Sequence, residues 1–461
     1  MQTFTLADIA AMQAAGKSEE ATHLYDLCLQ KGVDDWAVLY HLGCLFMQTN
    51  KPAIAALMFE RAIVIEPAKY ELHSNLGVLL RTMEKYTEAG VAFRKAAELA
   101  QNVDADVYVN LGSLYVNEGK PERGEEILLK GYAIDPNNAL VNWNLSLCFL
   151  EQGKWKEGWK CYKHGKFKHK EQDIPERPYR WQSFPQWEGE NSRVITYGEQ
   201  GLGDEIMFAS LIPDLQEDTK SIVYECHPRL ENIINRSFPE VEVWPTRKQA
   251  VINLEKEQEP PAFDHVVAMG DLGGFYRNKL EDFPGTPYLI PDPELVAKYR
   301  AMLEEAGEGP YYGIGWRGGY VKTRKGLRSI DLDTLKPILR EKGTFVSMQY
   351  DEKADSEVEE FCDRTGIKIF HWPEVVREFD YDHTAAMAVA LDHVICINTT
   401  LVHLCGALGI GCWSLTPSRP AWRYQMEGPI PWYNSVNLIR QTDKYSWSEP
   451  VERIINLMRE T

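Results

Sequence analysis

Small and large apolar positions recur in register along the first third of the chain. Small residues stand at Ala21, Ala55, Ala89, Gly124 and Gly158, and a large one follows four positions later at Tyr25, Phe59, Phe93, Leu128 and Tyr162. A second column of small residues falls at Ala62, Ala96, Gly131 and Gly165. Between them a short phrase returns as Leu42-Gly43, Asn75-Leu76-Gly77, Asn110-Leu111-Gly112 and Asn144-Leu145-Ser146, at steps of 34, 35 and 34 residues. A small residue facing a large one at this period predicts paired helices that stack on their neighbours. Pro67 and Pro136 close two of the units, where a proline stops a helix at little cost, and Gln101 takes that place in a third. Five units are predicted, with the first (about 2–35) and the last (about 139–170) degenerate, as terminal repeats tend to be.

The period is that of the tetratricopeptide repeat, so residues 1–170 are expected to form an all-α solenoid that presents a partner or substrate. The residue before each Leu-Gly phrase is His41, Asn75, Asn110 or Asn144. On the helix lining the concave face, the three asparagines are candidates for holding a peptide backbone, since a carboxamide both donates and accepts. The plainer reading has them bonding a neighbouring turn.

After Gly165 the repeat stops. Residues 171–192 read as an anchored connector rich in Pro and Trp, with Trp181 and Trp187 as anchors, preceded by the basic residues Lys166, Lys168 and Lys170. From Arg193 short β-branched runs alternate with helical patterns. One series lies at 193–197, 221–225, 241–244 and 264–268. A second lies at 311–316, 344–349, 367–370, 393–397 and 412–415. Alternation of this kind predicts parallel sheets covered by helices. Two Rossmann-like α/β domains are expected, 193–290 and 309–430, joined by 291–308, with 431–461 packing back on them. Ligands in such folds bind at the carboxyl ends of the strands, here in a cleft between two facing domains.

The whole chain has 461 residues, 44% hydrophobic and 26% charged, which is ordinary for globular protein. A net charge of −18 argues against a nonspecific grip on nucleic acid or anionic lipid. Nine dispersed cysteines without a C-x-x-C pair predict reduced thiols and a cytoplasmic setting. No signal peptide or membrane span is read from the sequence.

Three strand ends carry candidate chemistry. The first strand runs into Gly198-Glu199-Gln200-Gly201-Leu202-Gly203-Asp204, which sets Asp204 at a helix start as a general base, with Gln200 on the acceptor side. Asp at such a position also serves simply as a helix cap. The strand at 393–397 runs into Asn398-Thr399-Thr400 and then His403. Free N–H groups and two hydroxyls there make an anion site, with His403 able to donate to a phosphate oxygen or the leaving group. A lone histidine is otherwise structural. Trp316-Arg317-Gly318-Gly319 leads to Lys322, Arg324, Lys325 and Arg328, a cationic cluster suited to a diphosphate, with Arg317 and Arg328 the preferred pair. Gln349 and Tyr350 end the next strand and could face a nucleotide. Asp331 and Asp333 read as helix caps, not metal ligands.

The chain beyond the repeats resembles the heptosyltransferase-like GT-B glycosyltransferases in the form fused behind tetratricopeptide repeats, which share a plan with the O-linked N-acetylglucosamine transferases. The resemblance rests on phrases that include Trp187-Glu188-Gly189, Gly198 to Asp204, Pro287-Tyr288-Leu289, Gly313 to Gly318, Ser347-Met348-Gln349, Asn398 to Gly409, Trp422-Arg423 and Pro431-Trp432-Tyr433. It implies a nucleotide-diphosphate sugar donor on the C-terminal domain, held by Arg317, Arg328, Gln349, Asn398, Thr399 and Thr400. It implies Asp204 as base, His403 near the phosphates, inversion at the anomeric carbon, and no metal or other cofactor. Asn398 departs from the family's Asp and loses its charge. The function expected is sugar transfer to a polypeptide or partner protein brought by the repeats. The alternatives are an inactive scaffold that keeps the fold, or transfer to a glycan, small molecule or nucleobase with the repeats used for assembly. The oligomeric state is left open, a homo-oligomer included.

Overall fold

The computed structural model describes residues 9, 11, 12, 14–30, 35–101, 103–171, 181, 184–198, 200–246, 261–318, 328–443 and 445–460. The chain divides into two compact units, residues 1–148 with 164–173, and residues 149–163 with 174–461.

The first unit is helical. Hairpins pair Trp36–Gln48 with Pro52–Ile65, Tyr70–Thr82 with Tyr86–Ala100, and Ala105–Asn117 with Pro121–Ile134. Ser18–Gln30 precedes them, and Ala139–Glu151 and Trp155–Glu171 follow along the chain, with Phe149–Lys163 belonging to the second unit. The Leu-Gly phrase explains each hairpin. A methyl added at Gly43 would lie 2.8 Å from the Phe59 ring, and one at Gly77 would lie 2.6 Å from Phe93. The glycine therefore lets its helix close onto an aromatic ring that is wholly buried. The hairpin turns share one backbone solution. Gly16, Asn50, Glu84, Gly119 and Gly153, spaced one period apart, all take left-handed φ, between 56° and 80°. Pro52 and Pro121 start second helices at the position where a missing N–H is harmless. Asp35 and Asp104 cap first helices through side-chain oxygens.

The second unit contains two wholly parallel sheets. The first holds β1 (Arg193–Tyr197), β2 (Ser221–Glu225), β3 (Glu242–Trp244) and β4 (His265–Ala268), in the order β3-β2-β1-β4. The second holds β5 (Tyr311–Gly315), β6 (Thr344–Ser347), β7 (His393–Ile397), β8 (Cys412–Thr416) and β9 (Val436–Arg440), in the order β6-β5-β7-β8-β9. Strands buried on both faces read as continuous apolar runs, which is why they were visible in the sequence. In each sheet the chain first builds outward in one direction and then returns to the far side of its first strand. That reversal falls between β1 and β4 in the first sheet and between β5 and β7 in the second. At such a point the crossover helices diverge and leave a crevice beyond the carboxyl ends of the strands.

Two expected boundaries shift. The second sheet continues past residue 430 into β9, and the Ser448–Glu460 helix buries Val451, Ile454 and Met458 in that sheet's core. The run at 367–370 makes only an isolated bridge, Val346 with Phe370. Trp181 and Trp187 are buried, and the Trp181 indole donates to Glu225 Oε2 at 2.6 Å, so the connector is anchored at its described positions. Pro175, Pro178 and the side chains of Lys166, Lys168 and Lys170 lie outside the described residues. No described helix is long and apolar enough to cross a membrane.

Phe93→Ala empties the site against Gly77. It is expected to cost about 3–5 kcal/mol, read as a lower urea midpoint of the helical circular-dichroism signal in the full chain. An unchanged midpoint would mean that the glycine–aromatic contact does not hold the hairpin.

Candidate functional site

The two reversal points meet. After β1 the chain turns into the Leu202–Phe208 helix, and after β7 it turns into the Thr400–Leu408 helix. Gly203 sits where these helices touch. A methyl added there would lie 3.1 Å from His403 Cδ2 and 3.2 Å from both Thr400 Cα and Oγ1. A Cβ there would be tighter than most such contacts, and the approach sets Asp204 beside the start of the second helix.

Asp204 does two things at once. Its Oδ2 accepts from the Gly201 N–H at 3.3 Å, which caps its own helix. Its Oδ1 is ion-paired with the Arg423 guanidinium, and both side chains are about 15% exposed. Burial pulls on the Arg423 charge, but Asp204 together with Tyr424 and Tyr162 outweighs it and holds that group above its ordinary pKa. Arg328 is half-buried and donates to the Asn398 carbonyl at 3.1 Å. Burial lowers its pKa, and the neighbouring Arg423 lowers it further. Arg328 and Arg423 both feel the Asp204 carboxylate, and guanidiniums of this kind suit an anion.

Thr399 is the N-cap of the Thr400–Leu408 helix; its side chain makes no cap bond, and the Val402 N–H donates to the Thr399 carbonyl at 3.1 Å. Asn398 is wholly buried. Its Oδ1 accepts from Ser414 Oγ at 2.9 Å and Thr416 Oγ1 at 3.0 Å, while its Nδ2 has no partner among the described residues. The carboxamide therefore fixes the β7 and β8 ends to each other without adding charge.

Several expected roles are corrected by these contacts. His403 does not face a phosphate. It is buried, with Nδ1 3.2 Å from the Tyr433 hydroxyl and Nε2 3.1 Å from that of Tyr424. Burial, with Arg423 and Arg328 nearby, pushes its pKa well below 6.5, so the imidazole is neutral. Arg317 is not a spare cation. Its Nη2 lies 2.7 Å from Asp351 and its Nη1 2.5 Å from Glu357, and these carboxylates answer its charge. Gln349 does not face a nucleotide, because all of its amide is used. Its Oε1 accepts from the Trp316 and Arg317 N–H groups at 3.2 and 3.0 Å, and its Nε2 donates to Arg317 O at 3.0 Å and Asp351 at 2.7 Å. The asparagine column also has another task. Asn75 contacts the Tyr40 hydroxyl. Asn110 donates to Ser74 at 3.2 Å, and Asn144 donates to Leu140 O at 2.8 Å. The first two reach the preceding repeat, so the column braces the stack.

Gln200 donates to the Tyr162 hydroxyl at the mouth of the glycine loop. Lys322, Arg324 and Lys325 lie outside the described residues. Asp331 caps a helix by accepting from the Thr334 N–H at 2.7 Å, and Asp333 pairs with Arg364 at 2.7 Å. No described His, Cys, Asp or Glu cluster is arranged to hold a metal. The site residues that sequence reasoning missed are Arg423, Tyr424 and Tyr433. They follow β8, Arg423 and Tyr424 in the short turn of 3-10 helix Trp422–Tyr424; Arg423 and Tyr433 fall in phrases of the family resemblance that carried no role, and only the folded chain brings them to Asp204 and His403.

A family model for the tetratricopeptide repeat matches residues 70–103 and 105–138. The N-terminal region is a tetratricopeptide-repeat solenoid. Across 98% of its length the chain is 27% identical to Protein FlbA of Caulobacter vibrioides, and it covers 83% of that protein. Among solved structures it is similar to MamA, at 22% identity over 37% of this chain and 99% of that one, with a TM-score of 0.33. It is also similar to YrrB, a tetratricopeptide-repeat protein with an unusual peptide-binding site, at 19% identity over 37% of this chain and 86% of that one, with a TM-score of 0.30.

The neutral state of His403 has a measurable consequence. The unfolded residue takes up its proton near pH 6.5, and the folded one does so only at much lower pH. Below that pH the unfolded state binds more protons, so stability is full above about 6.5 and falls with acidification. The thermal midpoint of wild type should drop between pH 7 and pH 5, and His403→Gln should show a shallower drop. Equal slopes would remove the buried neutral assignment.

Proposed function

We propose that the second unit is a GT-B glycosyltransferase that uses a nucleotide-diphosphate sugar, and that the tetratricopeptide repeats deliver a polypeptide acceptor to it. The observation that carries this reading is the contact of Gly203 with Thr400, which joins the carboxyl ends of two parallel sheets and brings Asp204, with its partner Arg423, beside the start of the Thr400–Leu408 helix, where Arg328 bonds the Asn398 carbonyl. An acid on one wall and an anion nest on the other are the parts that direct displacement needs.

In the proposed reaction Asp204 takes the proton of an acceptor hydroxyl or amide. The acceptor atom bonds to the anomeric carbon as the bond from that carbon to the phosphate oxygen breaks. The departing diphosphate is met by Arg328, Arg423, the Thr399 and Thr400 hydroxyls and the amides of their helix. The donor phosphates compete with Asp204 for Arg423, which frees the carboxylate as the donor arrives. His403, neutral and held by two tyrosines, positions Tyr424 and exchanges no proton with substrate. No metal enters this scheme. The occupied carboxylate of Asp204 and the uncharged Asn398 favour a second reading, in which the unit keeps the fold as a scaffold.

The two readings separate on nucleotide binding. Calorimetry with nucleoside diphosphates should give saturable binding to the full chain, and Arg328→Ala should weaken it roughly 10- to 100-fold, the loss of about 1.5–3 kcal/mol from a hydrogen bond to a charged group. Mass spectrometry of candidate acceptors with a panel of nucleotide sugars should detect transfer that Asp204→Ala abolishes while nucleotide affinity is kept. Wild type that binds no nucleotide would leave only the scaffold, and turnover by Asp204→Ala would refute the base.

A further inference from the structure

Behind the Asp204 centre a row of polar side chains joins the two helices that meet there. The Tyr288 hydroxyl donates to the Ile206 carbonyl at 2.7 Å, on the helix that carries Asp204. The Tyr288 N–H donates to the Ala407 carbonyl at 2.9 Å, on the helix that Thr399 caps. The hydroxyls of Tyr288 and Tyr433 are hydrogen-bonded to each other. Tyr433 Oη lies 3.2 Å from His403 Nδ1, and Tyr424 Oη lies 3.1 Å from His403 Nε2. His403, Tyr424 and Tyr433 are only 3%, 2% and 1% exposed, so the protein itself must supply their partners. Arg423 and Arg328 stand close to the Tyr424 hydroxyl.

Three hydroxyls and one neutral imidazole carry four protons between them, and four contacts take one each. The Ile206 carbonyl only accepts, so the Tyr288 proton lies there, and the Tyr288 oxygen accepts from Tyr433. With its own proton spent, Tyr433 accepts from His403, which puts the imidazole proton on Nδ1. Nε2 is then an acceptor and takes the Tyr424 proton. The opposite tautomer leaves Tyr433 and Tyr288 with no proton between their oxygens, and it turns the Tyr424 proton out towards two guanidiniums. In a buried row both losses are costly. We propose that Tyr288 is a positioning residue: through Tyr433 it holds the His403 proton on Nδ1, which commits the Tyr424 hydroxyl to the imidazole and leaves only its lone pairs for Arg328 and Arg423. The mechanistic consequence rests on the transfer reading. Tyr424 is an acceptor in the wall of the site and gives no proton to the departing diphosphate.

The test is NMR of the full chain labelled with nitrogen-15 in histidine, since protonated and unprotonated ring nitrogens resonate far apart. Among the 11 histidines, the His403 signals are those that His403→Gln removes. Wild type should carry the proton on Nδ1 in an excess of roughly 10-fold or more over Nε2. In Tyr288→Phe each tautomer leaves one tyrosyl proton unmatched, so the imidazole proton should spread over both nitrogens. A change confined to packing would not move it. Saturating uridine, guanosine or adenosine diphosphate should leave the wild-type tautomer as it is. A proton on Nε2 in wild type, an unchanged tautomer in Tyr288→Phe, or a move to Nε2 on adding a diphosphate would each overturn the assignment. The wild-type spectrum alone decides should Tyr288→Phe not fold. A chain that binds none of the three diphosphates would refute the transfer reading and leave the tautomer to be judged on the first two spectra.

Discussion

A methyl at Gly203 would stand 3.2 Å from the backbone of Thr400, closer than most side-chain contacts, and this tight approach governs the second unit. Each sheet supplies one short connection from a strand to a helix. Either connection alone is a loop with free amides, common in parallel sheets. Pressed together, they put a carboxylate, two guanidiniums and a helix start within reach of one ligand. The same approach buries His403 behind the contact, where two tyrosines satisfy it and the nearby cations keep it uncharged.

Charge at this centre is balanced by partners that come from distant parts of the sequence. Asp204 and Arg423 are separated by 219 residues, and Arg317 and Glu357 by 40. The first pair stands at the proposed reaction centre, with a second guanidinium beside it. The second pair is locked by two carboxylates and holds the end of β5 to the segment after β6. An arginine looks the same in sequence in both cases. What differs is how many carboxylates meet it after folding, one at Arg423 and two at Arg317.

That distinction marks how much could be read in advance. The bounds of β1, β2 and β7 follow directly from apolar β-branched runs, because those strands are covered on both faces. β9 was missed. Its pattern, with Asn437 exposed and Leu438 half-buried, is that of a sheet margin, and a proline-rich stretch precedes it. Thr399 and Thr400 were read as candidates because they directly follow β7, and Asp204 because a glycine-rich turn leads to it from β1. Arg423 and Tyr433 stood only in phrases of the resemblance, and no local pattern gave them or Tyr424 a role. Asn110 was legible as a recurring position, but its task was not. Its bond to Ser74 spans one repeat and exists only once repeats stack.

Trp155 and Trp159 belong by pattern to the last repeat, yet they fold with the second unit. Trp159 fills a niche at Gly273, where a methyl would lie 2.7 Å from its ring, and its indole donates to Arg277 O at 2.7 Å. Trp155 lies 4.7 Å, ring to ring, from Phe283. The covalent seam between repeat and sheet is therefore not the seam along which the polypeptide separates. A fragment cut where the repeats end would leave two indole-shaped hollows in its surface. A shortened version able to stand alone must instead borrow the closing helix of the array.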